Sequence, residues 1–92
     1  MAKVLVTVKL YPEDVETDRN QIVEELKKRL PQDYELVRTR EEPVAFGYVA
    51  LKAYIAIPEE TEGGTERLEE ILRQVPHIQD FEIEGVHRLS EF

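Results

Sequence analysis

Apolar positions along the chain change their period from one stretch to the next. From Lys3 to Tyr11 the period is two: Val4, Val6, Val8 and Leu10 share one face, and Leu5, Thr7, Lys9 and Tyr11 the other. That alternation predicts a strand, which Pro12-Glu13-Asp14 ends. Asp18, with Gln21 three residues on, forms a capping pair that can satisfy free backbone donors at a helix start. Ile22, Leu26 and Leu30 then recur at helical spacing beside Val23, and Pro31 stops the helix. Tyr34 to about Glu41 reads as a second strand carrying Arg38, Arg40 and Glu41, and a loop with Pro43 and Gly47 follows. Val49, Leu51, Ala53, Ile55 and Ile57 restore the period of two until Pro58. Glu59 to Gly64 is an acidic loop, and Thr65 is placed to cap a helix striped by Leu68, Ile71, Leu72 and Val75. Phe81, Ile83 and the residues to Leu89 make the last strand.

The resulting order, β-α-β-β-α-β, is the split βαβ or ferredoxin-like pattern of the α+β class. A sheet covered by helices on one face needs one apolar face per strand and one stripe per helix, as here. The first and third strands are the most apolar. The second and fourth carry Arg38, Arg40, Glu82, Glu84 and Arg88, and charge suits sheet edges because it discourages pairing with other chains. The expected antiparallel sheet order is 4-1-3-2, in a single domain spanning residues 1–92.

Composition narrows the function. The chain has 92 residues, no cysteine, 20 acidic and 12 basic side chains. Without cysteine there is no disulfide framework, thiol nucleophile or thiolate metal site. No apolar run approaches the roughly 18 residues of a membrane span, and the start lacks the layout of a signal peptide; a cytoplasmic domain is expected. A net charge of −8 removes the sequence-independent attraction on which nucleic-acid binding rests, and favours a protein or small-ligand partner.

Catalytic machinery is sparse. No phosphate loop, nucleophile elbow or paired-histidine zinc motif occurs. His77 and His87 bracket Glu82 and Glu84, but on a regular strand His87 shares the face of Phe81 and Ile83 while the glutamates face away, so no metal site is expected. Gly63-Gly64-Thr65 opens a helix among Glu59, Glu60, Glu62 and Glu66, whose field repels anions. An acylphosphatase-type site would need a phosphate-cradling loop after the first strand, and Tyr11 to Glu16 is acidic and glycine-free.

The most unusual segment is Glu41-Glu42-Pro43-Val44-Ala45-Phe46-Gly47-Tyr48. Val44 is expected to pack beneath this loop. Phe46 is expected to project, because the backbone can turn sharply at Gly47, and a projecting aromatic flanked by charge has the makings of an interface anchor. Phe46-Gly47-Tyr48-Val49 also partly matches the octamer of RNA-recognition domains, which have this fold. Val44 and Ala45 replace its leading basic residue and glycine, however, and the first strand offers Leu5 where a second stacking aromatic belongs.

Pro43 to Gly47 followed by Leu51-Lys52, together with His77-Ile78-Gln79 and Val86-His87-Arg88-Leu89, resembles the archaeal elongation factor 1-beta family. The resemblance implies a non-enzymatic guanine-nucleotide exchange factor that acts on elongation factor 1-alpha. No cofactor and no direct contact with nucleic acid are expected, and a monomer is expected when free. It also implies that Pro43, Phe46, Gly47, His87 and Arg88 touch the partner, Phe46 entering a pocket and Arg88 approaching the Mg²⁺ and phosphate region. Arg88 stands where eukaryotic members usually have lysine, and strand parity groups it with Glu82 and Glu84, opposite Phe81. The expectation that follows is specific: Phe46 and Arg88 project from the same end of the domain.

Overall fold

In the computed structural model the chain forms β1 (Lys3–Pro12), α1 (Arg19–Arg29), β2 (Glu35–Ala45), β3 (Tyr48–Pro58), α2 (Glu66–Arg73) and β4 (Ile78–Leu89). The structure describes residues 3–58 and 65–89, with the backbone alone at 88 and 89. The acidic loop from Glu59 to Gly64 lies outside the described residues. All strand pairs are antiparallel, in the order β2-β3-β1-β4. Read from its other edge this is the expected 4-1-3-2 sheet, with the two charged strands at the edges.

The core follows from the alternation. Val6, Val8 and Leu10 of β1 lie in register with Ile55, Ala53 and Leu51 of β3. Ile22 and Leu26 of α1 and Leu68 and Leu72 of α2 close over that face, all with no residual exposure. Each such large aliphatic side chain contributes about 1.5–3 kcal/mol by leaving water. The helix starts differ from expectation in detail. Asp18 does cap α1, but its carboxylate accepts the Asn20 N–H at 2.9 Å, while Gln21 donates its own N–H to the Asp18 carbonyl at 3.1 Å. Thr65 holds the N-cap position of α2 without a side-chain cap bond; its hydroxyl donates instead to Glu69 at 3.0 Å.

Both edge strands are irregular. Val8 faces Ile83 whereas Thr7 faces Gly85, which leaves Glu84 as an extra residue in β4. On the other edge, the shifts between Leu36 and Arg38 and between Pro43 and Ala45 leave Val37 and Val44 as extra residues in β2. Bulges twist an edge away from pairing with other chains, adding to the effect of the charges. β2 runs past Glu41 to Ala45 and β4 back to Ile78, beyond the expected bounds. Pro43 is tolerated there because an edge strand has one side free of ladder bonds.

Candidate partner-docking site

The segment expected to be a loop is the tip of a tight hairpin. Ala45 and Tyr48 are paired, so only Phe46 and Gly47 make the turn. Both have positive φ, 50° and 80°, the pattern of a type I′ turn, whose twist matches that of the flanking strands. Glycine reaches this region without strain, but a phenylalanine there crowds its own Cβ against the backbone. The ring is nevertheless 103% exposed, and Pro43 and Gly47 beside it are exposed too. Phe46 therefore projects as expected. Val44 does not pack beneath it: at 48% exposure it stands in the bulge, as the residue of β2 with no partner in β3. Tyr48 is half-buried, and its hydroxyl donates to the Pro12 carbonyl at 2.5 Å, fastening the hairpin base to the end of β1. Burial pushes the Tyr48 phenol above its usual range, with the nearby Tyr11 adding to the effect.

The loop after β1 lies at this same end. The Glu13 N–H donates to the His77 carbonyl at 3.0 Å, and His77 itself has φ of 74°. At the far side of the loop Arg19 reaches Glu41 of β2 at 2.8 Å. Within it the Asp14 N–H donates to the Thr17 hydroxyl at 3.1 Å and the Glu16 N–H to the Asp14 carboxylate at 2.7 Å. These amides serve the turn.

His87 and Arg88 occupy the other end. Arg88 is in register with Val4 and His87 with Leu5, whereas β4 begins beside Pro12. β3 runs in the same direction, with Leu51 beside Leu10 and Pro58 beside Lys3, so the Phe46 turn lies past the Pro12 end of β1. About nine residue rows separate Arg88 from Tyr48, roughly 30 Å at 3.3 Å per residue, in a molecule 41 Å long. The expectation that Phe46 and Arg88 share one end is therefore wrong. Two strands both antiparallel to β1 are parallel to each other, and the start of one cannot lie beside the end of the other.

The expected parity of β4 also fails, because the bulge at Glu84 inverts the alternation beyond it. His87 falls into the Leu5 row and borders an open dish with Thr7, Lys52, Tyr54, Glu84 and Gly85; it no longer shares the face of Phe81 and Ile83. Position 88 falls into the Val4 row, not the Lys9 row of Glu82, while the direction of the Arg88 side chain lies outside the described residues. On the open face of the sheet Glu42 accepts from Lys9 at 2.8 Å and lies 3.5 Å from Lys52, which in turn reaches Glu84 at 3.3 Å. The Lys9 contact holds the Glu42 carboxyl below its usual range against the opposing effect of desolvation, and the Lys52 charge assists. Among the described residues no group of three or more His, Cys, Asp or Glu side chains is placed to hold a metal.

The octamer-like segment places Phe46-Gly47 in the turn, away from the middle of the sheet where bases stack in RNA-recognition domains. What the reading of residues missed was the hairpin. Two period-two runs separated by a pair ending in glycine are a hairpin signal, and the proline at position 43 masked it.

Comparison with known proteins gives the family. Residues 5–89 match the EF-1 guanine nucleotide exchange domain. The elongation factor 1-beta of Ignicoccus hospitalis is 54% identical over 90 residues, covering 98% of this chain and 96% of that protein. That of Hyperthermus butylicus is 50% identical over the full length of both chains, and that of Aeropyrum pernix 47% identical over 98% of this chain and all of its own. The chain belongs to the elongation factor 1-beta family, whose guanine nucleotide exchange domain serves translation elongation.

Proposed function

We propose that this protein speeds the replacement of GDP by GTP on elongation factor 1-alpha, docking through the Phe46 hairpin and acting on the Mg²⁺ and phosphate region with Arg88. The observation that carries the docking step is Phe46 itself, an aromatic held at φ 50° with its ring fully in water. Neither backbone preference nor burial in the free chain favours phenylalanine there. Burial against a partner does.

Exchange needs no bond in the nucleotide to break, so no nucleophile or general base is required. The factor must bind the nucleotide-free GTPase more tightly than the nucleotide-bound one, because only differential affinity shifts an equilibrium. Nucleotide and Mg²⁺ are held by switch loops and phosphate contacts, and a cation brought there repels the metal and competes for its acidic ligands. Phe46 lies beyond Tyr48 and so more than about 30 Å from Arg88 by the strand rise, so one pocket cannot receive both. The GTPase is gripped at two places, with Pro43, Phe46 and Gly47 at one and His87 and Arg88 at the other. The factor acts in the cytoplasm as a monomer, without a cofactor or direct contact with nucleic acid.

The test is to mix the protein with its cognate elongation factor 1-alpha loaded with labelled GDP. Release should accelerate with factor concentration and saturate. No acceleration at micromolar concentrations would overturn the proposal.

A further inference from the structure

The docking end carries more than one apolar side chain. Val44 and Val15 are 48% and 54% exposed, and with Phe46 they are three of the five large hydrophobic side chains that stand in water among the described residues. Val44 is two residues from Phe46, in the bulge of the same hairpin. Val15 sits in the loop between Pro12, whose carbonyl accepts from Tyr48, and Arg19, which reaches Glu41 of β2, so both ends of this loop are tied to the strands of the hairpin. Its backbone is held by internal bonds at Asp14, Glu16 and Thr17 and by the His77 carbonyl, which makes the placement of Val15 a built feature. Around it Glu13, Asp14 and Glu16 are all exposed.

From this arrangement we infer that Val15 and Val44 flank Phe46 as secondary anchors, that Glu13, Asp14 and Glu16 collar them, and that the matching surface of the GTPase is an apolar socket with a basic rim. The inference rests on the docking proposed above and extends it to a second loop. An apolar centre bounded by charge is the usual anatomy of a specific interface. The acidic collar contributes mainly to encounter and selectivity, as rim charges do. Phe46 enters the socket, the valines exclude water at its mouth, and the carboxylates select a basic border.

The experiment measures GDP release against factor concentration for Val15→Ser, Val44→Ser, the double variant, and Val37→Ser as control. Val37 has a similar exposure, 49%, but lies in the other bulge of β2. Circular dichroism confirms folding of each. The expected result is a rise of about fivefold in half-saturating concentration for each of Val15→Ser and Val44→Ser, with the maximal rate unchanged, and no change for Val37→Ser. With Glu13→Gln/Glu16→Gln, the salt dependence of half-saturation should flatten relative to the parent chain. If Val15→Ser and Val44→Ser behave as Val37→Ser does while Phe46→Ala still weakens docking, the extended socket is wrong and the Phe46 anchor stands. If Phe46→Ala is also without effect, the hairpin is not the docking end and both readings fall.

Discussion

Replacing Phe46 by asparagine separates the cost of the turn from its use. Residue 46 is the first central position of a type I′ turn at φ 50°, where asparagine is among the preferred residues. A bulky residue in the left-handed region carries roughly 1–2 kcal/mol of strain, and asparagine relieves part of it. Because the ring is 103% exposed, its removal takes no packing from the free chain. Phe46→Asn should therefore stabilise the free protein by about 0.5–1 kcal/mol, raising Tm by several degrees at the roughly 4–8 °C per kcal/mol expected of a small domain. Docking should move the other way. An aromatic ring buries about 150–250 Å² at an interface, and losing a central anchor costs about 2 kcal/mol or more, a factor of roughly 30 in affinity. Thermal unfolding followed by circular dichroism gives the first number, and titration of GDP release the second. A lower Tm would show that the ring packs within the free chain. An unchanged half-saturating concentration would refute the anchor.

Three further outcomes are expected. A Cβ added at Gly47 meets nothing within 4 Å while φ is 80°, so Gly47→Ala should lose only the backbone term, about 1–2 kcal/mol, and Gly47→Asn should recover much of it in urea titrations. Glu42, held ionised chiefly by Lys9, has a folded-state pKa below its unfolded value. Its contribution is present above the ordinary carboxylate range and fades as pH falls through the depressed value, so Glu42→Gln should flatten the acid limb of stability measured by urea unfolding between about pH 5 and 3. Finally, Arg88→Ala should lower the maximal rate of GDP release at saturating factor by about tenfold or more, one step of 1.4 kcal/mol, while half-saturation moves less. Arg88→Lys should restore part of that rate because it keeps the charge. Full activity in Arg88→Ala would remove the cation from the mechanism.

Much of the fold was legible in the sequence because its cause is local. Val4 to Leu10, Val49 to Ile57 and the stripes through Ile22, Leu26, Leu68 and Leu72 state which face of each element is apolar, and a single helix-covered sheet is the layout that buries them all together. The charges of the second and fourth strands marked them as edges. Phe46 before Gly47 was legible as a projecting ring for the same reason: the backbone demand of a tight turn belongs to two adjacent residues.

Tertiary pairing decided the rest. Whether a strand keeps its alternation depends on the count of residues opposite it, so the extra Glu84 and Val44 became evident only against β1 and β3. They put His87 on the open face and left Val44 unpaired in a bulge. The distance between Phe46 and Arg88 is likewise a property of strand direction: it follows once β3 and β4 are seen to run alike on either side of β1, and the residues at either end carry no mark of it. Periodicity reports how a segment meets its core, whereas register and direction exist only between segments. That the Phe46 hairpin and the loop after β1 share one end is therefore decided by the folded chain.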